Sequence, residues 1–194
     1  MIDKKFYAPD KESLRKWLSE NHKTSQGVWV VYDKKSSGKR TLSYDEIVEE
    51  LLCFGWVDSL PRSQSDTQAM YYISPRKQKS PWSKINKLRI GKLIEEERMT
   101  QAGLDIVERS KKDGSWTSYD AIENLTIPVE LKLALSKNTK AQHNFDQFSI
   151  SNKKQILWYI TNAKQEQTKK RRIDQIVKGA ENNINPLEYR KNKK

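Results

Sequence analysis

From Ser43 to Asp58 the sequence prescribes a helix, its end and a strand in one unbroken run, and this junction limits the folds open to the chain. Ser43 and Glu46 make a capping box, in which hydroxyl and carboxylate satisfy each other's free backbone N–H groups. Ile47, Val48, Leu51 and Leu52 recur at helical spacing and give one buried face, up to about Phe54. Gly55 suits the left-handed residue that closes a helix. Trp56-Val57-Asp58 then leaves as an extended segment. A helix with one apolar face needs a layer to lie on, and the flanking strands supply it.

Val28-Trp29-Val30-Val31-Tyr32 is β-branched and aromatic, hence a strand. A second strand is expected from Trp56 to near Pro61 and a third over 68–73. The polar run 63–67 between them points to an antiparallel hairpin. Leu14, Trp17 and Leu18 mark a first helix. Ser80-Pro81 reads as N-cap and first helical residue of a helix that ends near Arg98, with Trp82, Ile85, Arg89 and Leu93 along one side. Gly103 to Lys112 reads as a short helix. Residues 113–126 have no clear period and read as a linker. Helices are expected from Pro128, over 153–163, and over 166–178 with Gly179 just past the end. The expectation is an α+β protein: a small, mainly antiparallel sheet with packed helices over 1–112, then an all-helical module over 127–180. Residues 181–194 read as a basic flexible tail, with Ile184, Leu187 and Tyr189 as its only anchors.

The formal net charge is +12 and is unevenly spread. Residues 62–92 hold eight basic and one acidic residue, and residues 150–194 hold twelve and four. Blocks of this kind favour polyanionic partners or serve as a solubilising surface. The single cysteine, Cys53, excludes an internal disulfide and reads as a buried structural residue. The amino-terminal run has no apolar core of a signal peptide, and no stretch is apolar for the roughly twenty residues of a membrane span. A soluble cytoplasmic protein is the expectation.

Several runs resemble a known family. Leu52-Cys53-Phe54-Gly55-Trp56-Val57-Asp58 is similar to the "LCFGW(I/V)D" signature of the YdeI/OmpD-associated family, also called bacteriocin-protection proteins. Pro75-Arg76-Lys77, Ser80, Trp82-Ser83 and Asn86 resemble its second block, with Ser74 where threonine is usual. Met99 to Gly103 resembles a third block. Ile156 to Ile173 resembles the family's C-terminal helical region, with Gln167 where glutamate is usual. The resemblance runs from about Phe6 to about Gly179. It implies a link, by name, to bacteriocin protection and envelope association, and it supplies no mechanism.

The site is therefore argued from chemistry. Arg76, Lys77 and Lys79 lead into the expected helix start at Ser80, where free N–H groups and the helix dipole favour an anion. Trp82 offers a ring face, Ser83, Asn86 and Arg89 add donors, and Trp56 and Asp58 are the expected opposite wall. The leading reading is a non-catalytic protein that binds an anionic small molecule or a protein partner on this face. The bland reading makes both tryptophans core residues. Nucleic acid stays open as an alternative partner, through Lys153, Lys154, Lys169, Lys170, Arg171 and Arg172 on the last two helices. An unrecognised enzyme acting on an anionic substrate is the second alternative. His22 and His143 lie apart and without ligand spacing, so no metal site, cofactor or catalytic residue is assigned, and the oligomeric state is left open.

Overall fold

A computed structural model describes residues 4–39 and 42–188. They fall into two compact units, Met1–Ser118 and Tyr119–Lys194. The boundary lies inside the stretch read as a linker.

The first unit contains strands β1 (Lys5–Tyr7), β2 (Val28–Asp33), β3 (Trp56–Ser63) and β4 (Gln68–Pro75). Its helices are α1 (Lys11–Asn21), α2 (Tyr44–Cys53), α3 (Lys84–Glu95) and α4 (Gln101–Lys112). The sheet order is β1-β2-β4-β3. β3 and β4 form the expected antiparallel hairpin, with an irregularity between Asp58 and Pro61, and β4 also pairs antiparallel with β2. β1 pairs parallel with β2 and was not foreseen; three residues are too few to show an alternating pattern. The fold is mixed α+β, mostly antiparallel, with helices following.

Why α2 forms is visible in its bonds. Glu46 N donates to Ser43 Oγ at 3.2 Å, and Ser43 N donates to Glu46 Oε2 at 2.8 Å. Ile47, Val48, Leu51 and Leu52 are all buried, against Leu14 and Leu18 of α1 and Val30 and Ile73 of the sheet. Each such side chain contributes about 1.5–3 kcal/mol. One polar group is buried among them. Glu50, fully inaccessible, accepts from Arg15 at 2.7 Å and from Arg98 at 2.9 Å, so its charge is met by two guanidinium groups.

The far end of α2 is where α4 docks. Helix ends leave carbonyls without intrahelical partners. The Cys53 carbonyl takes both the Thr100 backbone N–H at 3.1 Å and the Thr100 hydroxyl at 2.6 Å. Thr100 also caps α4 by accepting from Gly103 N. A Cβ on Gly103 would stand 2.3 Å from the Cys53 oxygen, so only glycine lets α4 come this close. Cys53 is buried, and burial pushes its thiol pKa up.

The second unit contains α5 (Asp120–Glu123), α6 (Val129–Ser136), α7 (Thr139–Gln147), α8 (Ile150–Thr161) and α9 (Glu166–Glu181). Its core is built from Leu131, Leu135, Phe145, Ile156, Leu157, Ile160, Ile173 and Ile176. α7 escaped the reading because only Ala141 and Phe145 mark its buried face. The stretch expected as linker contains α5, the buried Ser115 and the buried Ile122. Residues expected as tail pack back as well: Leu187 and Asn185 are buried, and Pro186 lies against Gly179. Tyr189 and the rest of the expected tail lie outside the described residues.

The close docking of α4 gives a test. Gly103→Ala is expected to destabilise by about 1–3 kcal/mol, the usual range for overpacking. Gly91 lies inside α3 with open space around its Cα. Gly91→Ala should stabilise by about 0.5–1 kcal/mol through helix propensity. Urea unfolding of both variants beside the parent chain checks this, and a Gly103→Ala protein of unchanged stability would contradict the packing.

Candidate functional site

The chain leaves β4 at Pro75, and Arg76 is tied down at once: its backbone N–H donates to the Gly55 carbonyl at 3.0 Å. Gly55 holds φ +70 just past α2, the left-handed value expected of it, and a Cβ there would strike Ile106 of α4 at 2.4 Å. Lys79, at φ +57, then turns the chain. α3 does not begin at Ser80. Its N-cap is Ser83, whose hydroxyl accepts from Asn86 N at 3.4 Å. The helix starts one turn late because Trp82 is drawn into the core and the Pro81 carbonyl is taken by Arg76.

Arg76 is 8% exposed. Its guanidinium lies 3.6 Å above the Trp82 ring and donates through Nη2 to the Pro81 carbonyl at 2.6 Å. Arg109, in the last turn of α4, donates through Nη2 to the Arg76 carbonyl at 3.1 Å. Trp116 leans on Trp82 with ring centroids 5.1 Å apart. Lys87 and Lys111 stand 5.4 and 5.5 Å from the Trp116 centroid. Among the described residues no carboxylate lies within ion-pair distance of Arg76 or Arg109. Burial, and after it the charge of Arg109, pushes the Arg76 pKa down to about 10. Three buried donors here have no acceptor: Arg76 Nε, Arg109 Nε and Trp82 Nε1. Asp113, an acid close to Arg109, accepts from Ser115 N at 2.9 Å and Lys79 N at 3.4 Å. Those hydrogen bonds, with a smaller contribution from Arg109, hold its carboxyl pKa down.

The expected patch is therefore rearranged. Arg76 and Trp82 do meet. Trp56 is 1% exposed and packs edge-on to Trp17, with Nε1 donating to the His22 carbonyl, so it is core and no wall of a cleft. Trp82 is equally buried. Asp58 accepts from the Tyr44 hydroxyl, Asn86 accepts from Arg89 at 3.0 Å, and Arg89 also pairs with Asp45. Lys77 is exposed. Arg109, Lys111 and Trp116 were missed, although a tryptophan inside a polar, glycine-containing stretch was a signal that the stretch is anchored.

Of the six basic residues named as a nucleic-acid surface, four are engaged within the second unit. Lys153 donates to the Asp146 carbonyl, Lys154 pairs with Glu123, and Lys169 pairs with Glu130. Arg172 lies over the Tyr159 ring and donates to the Tyr159 carbonyl. Lys170 and Arg171 are exposed. Among the described residues no cluster of His, Cys, Asp or Glu could hold a metal ion, and no helix is long and apolar enough to cross a membrane.

Comparison with protein-family models finds that residues 6–106 match a model described as a domain of unknown function (DUF8412). The chain belongs to this family. Residues 124–183 match a second model, described as Bacteriocin-protection, YdeI or OmpD-Associated, so the resemblance suggested by the motifs is upheld over the helical unit. The two aromatic and basic motifs around Trp56 and Trp82 lie within the DUF8412 match. No curated protein and no solved structure matches the chain.

Within the DUF8412 portion, the burial of Arg76 makes its side chain part of the packing. Arg76→Ala uncovers the Trp82 face and strands the Pro81 carbonyl, and is expected to destabilise by about 1–3 kcal/mol. Lys77→Ala, at an exposed neighbour, should stay within about 0.5 kcal/mol of the parent. Chemical denaturation of both variants checks this; equal stability of the two would contradict it.

Proposed function

We propose that the protein is a binding protein that accepts an anionic group, a phosphate or a carboxylate, on the Arg76–Arg109 pair beside Trp82 and Trp116. One observation carries this reading. Two neighbouring guanidinium groups are held by backbone carbonyls and a ring face, with buried Nε–H donors that have no acceptor. Holding like charges together with no carboxylate in ion-pair contact is unfavourable by itself, and Asp113 acts on Arg109 only from beyond that distance. An incoming anion would relieve that repulsion and accept charge-assisted hydrogen bonds, about twice as strong as neutral ones. Lys87 and Lys111 add positive potential at the same rings.

The binding is non-catalytic in this proposal. The groups gathered at the site are proton-bearing cations and indoles, which orient and neutralise an anion, and Asp113 is occupied by backbone N–H groups. The helical unit matches a family whose name links it to bacteriocin protection. In the proposed reading this chain would contribute to such protection by binding, without breaking bonds.

Titration calorimetry with inorganic phosphate, against sodium chloride of equal ionic strength, tests the reading. The parent chain should show saturable heat with phosphate alone. Arg109→Ala should weaken the affinity about 10- to 100-fold, the equivalent of one or two charge-assisted bonds. Lys79→Ala should bind like the parent. Phosphate heats no different from chloride would overturn the proposal.

A further inference from the structure

Helices α6 and α9 of the second unit enclose a groove of about 1040 Å³. Ile173, Val177, Ala134 and Leu133 lie along it, and Leu133 is 58% exposed. This apolar strip, rimmed by charged side chains, has the make-up of an interaction surface. The Lys169–Glu130 ion pair links the two walls.

The rim on α9 has an order of its own. Glu166, Lys170, Asp174 and Lys178 follow one another at four-residue steps, and all four line the groove. Among the described residues none of the four forms an ion pair within the chain. Their signs alternate, negative, positive, negative, positive. The pattern is antisymmetric about Arg172: Glu166 and Lys178 are equidistant from it, and so are Lys170 and Asp174. If a second α9 lies antiparallel across the first, with the two-fold axis at Arg172, every one of these charges faces an opposite one. A parallel arrangement in register would set like charges together. Cyclic two-fold dimers require this self-complementarity, in which residue i meets j and j meets i.

We propose that the groove between α6 and α9 is the interface of a two-fold homodimer, occupied by the same face of a second copy of this chain. The exposed Leu133 of each copy is covered by the other's apolar strip, and the four rim charges set the antiparallel register. Electrostatic complementarity of this type governs register and partner choice more than total affinity.

Analytical ultracentrifugation of the full chain, over a concentration series, tests this. The parent should sediment as a concentration-dependent dimer. Lys170→Glu places like charges opposite Asp174 twice in each dimer and should weaken association about tenfold or more. The double variant Lys170→Glu/Asp174→Lys swaps the pair and should restore it. Leu133→Asp should give monomer with the parent's helical circular dichroism. A parent chain that is monomeric at millimolar concentration overturns the proposal. So does a dimer unaffected by Lys170→Glu, or a folded double variant that stays as weak as the single one.

Discussion

The carbonyl end of α2 is the point on which the first unit depends. Cys53, Phe54 and Gly55 stop the helix, and the carbonyls of Cys53 and Gly55 are left for other segments to use. The Cys53 carbonyl receives Thr100 twice, and Gly103 lets α4 come within contact of it. The Gly55 carbonyl receives Arg76 as the chain leaves β4. The left-handed turn at Gly55 also leaves room for Ile106. Three stretches distant in sequence thus meet at a few backbone atoms, where unpaired polar groups would each cost about 1–3 kcal/mol. The position of Arg109 relative to Arg76 follows, because α4 has little freedom to shift once Gly103 is seated.

The unit treats the arginines at the edge of its core in two ways. Arg15 and Arg98 close on Glu50, and Arg98 on Glu49 also, so charge is balanced inside the chain. Arg76 and Arg109 have carbonyls and a tryptophan ring in place of carboxylates, and Arg109 helps to push the Arg76 pKa down. A network of the first kind rigidifies a core. A pair of the second kind retains unmet charge and unmet donors, which is the condition an anion-binding site needs. The contrast within one small core is the physical basis of the proposed function.

How much of this was legible in the sequence depends on how local each signal is. The capping box at Ser43, the left-handed Gly55 and the hairpin of β3 and β4 rest on residues within a turn of one another, and they could be read directly. The helix start at Ser83 could not. Ser80-Pro81 is the better local signal, and it loses because Trp82 gains more by burial than by lying on a helix surface. Arg76 and Trp82 could be named as neighbours from spacing, but their stacking, and the packing of Trp56 on Trp17 of α1, depend on tertiary contacts. Arg109 and Trp116 are brought to the site by tertiary packing alone. In the second unit α7 is held by two apolar residues and a capping Asn138, too little for a periodicity to show.

The claim that the Arg76–Arg109 pair accepts an anion is tested most directly at its unpaired donors. The side-chain Nε–H resonances of Arg76 and Arg109, followed by proton–nitrogen NMR during titration with inorganic phosphate at constant ionic strength, report on those atoms alone. The account predicts that both resonances shift downfield together and saturate at one phosphate concentration, while those of Arg15 and Arg98 stay in place. Unmoved Arg76 and Arg109 resonances, or shifts shared equally by all four arginines, would contradict it.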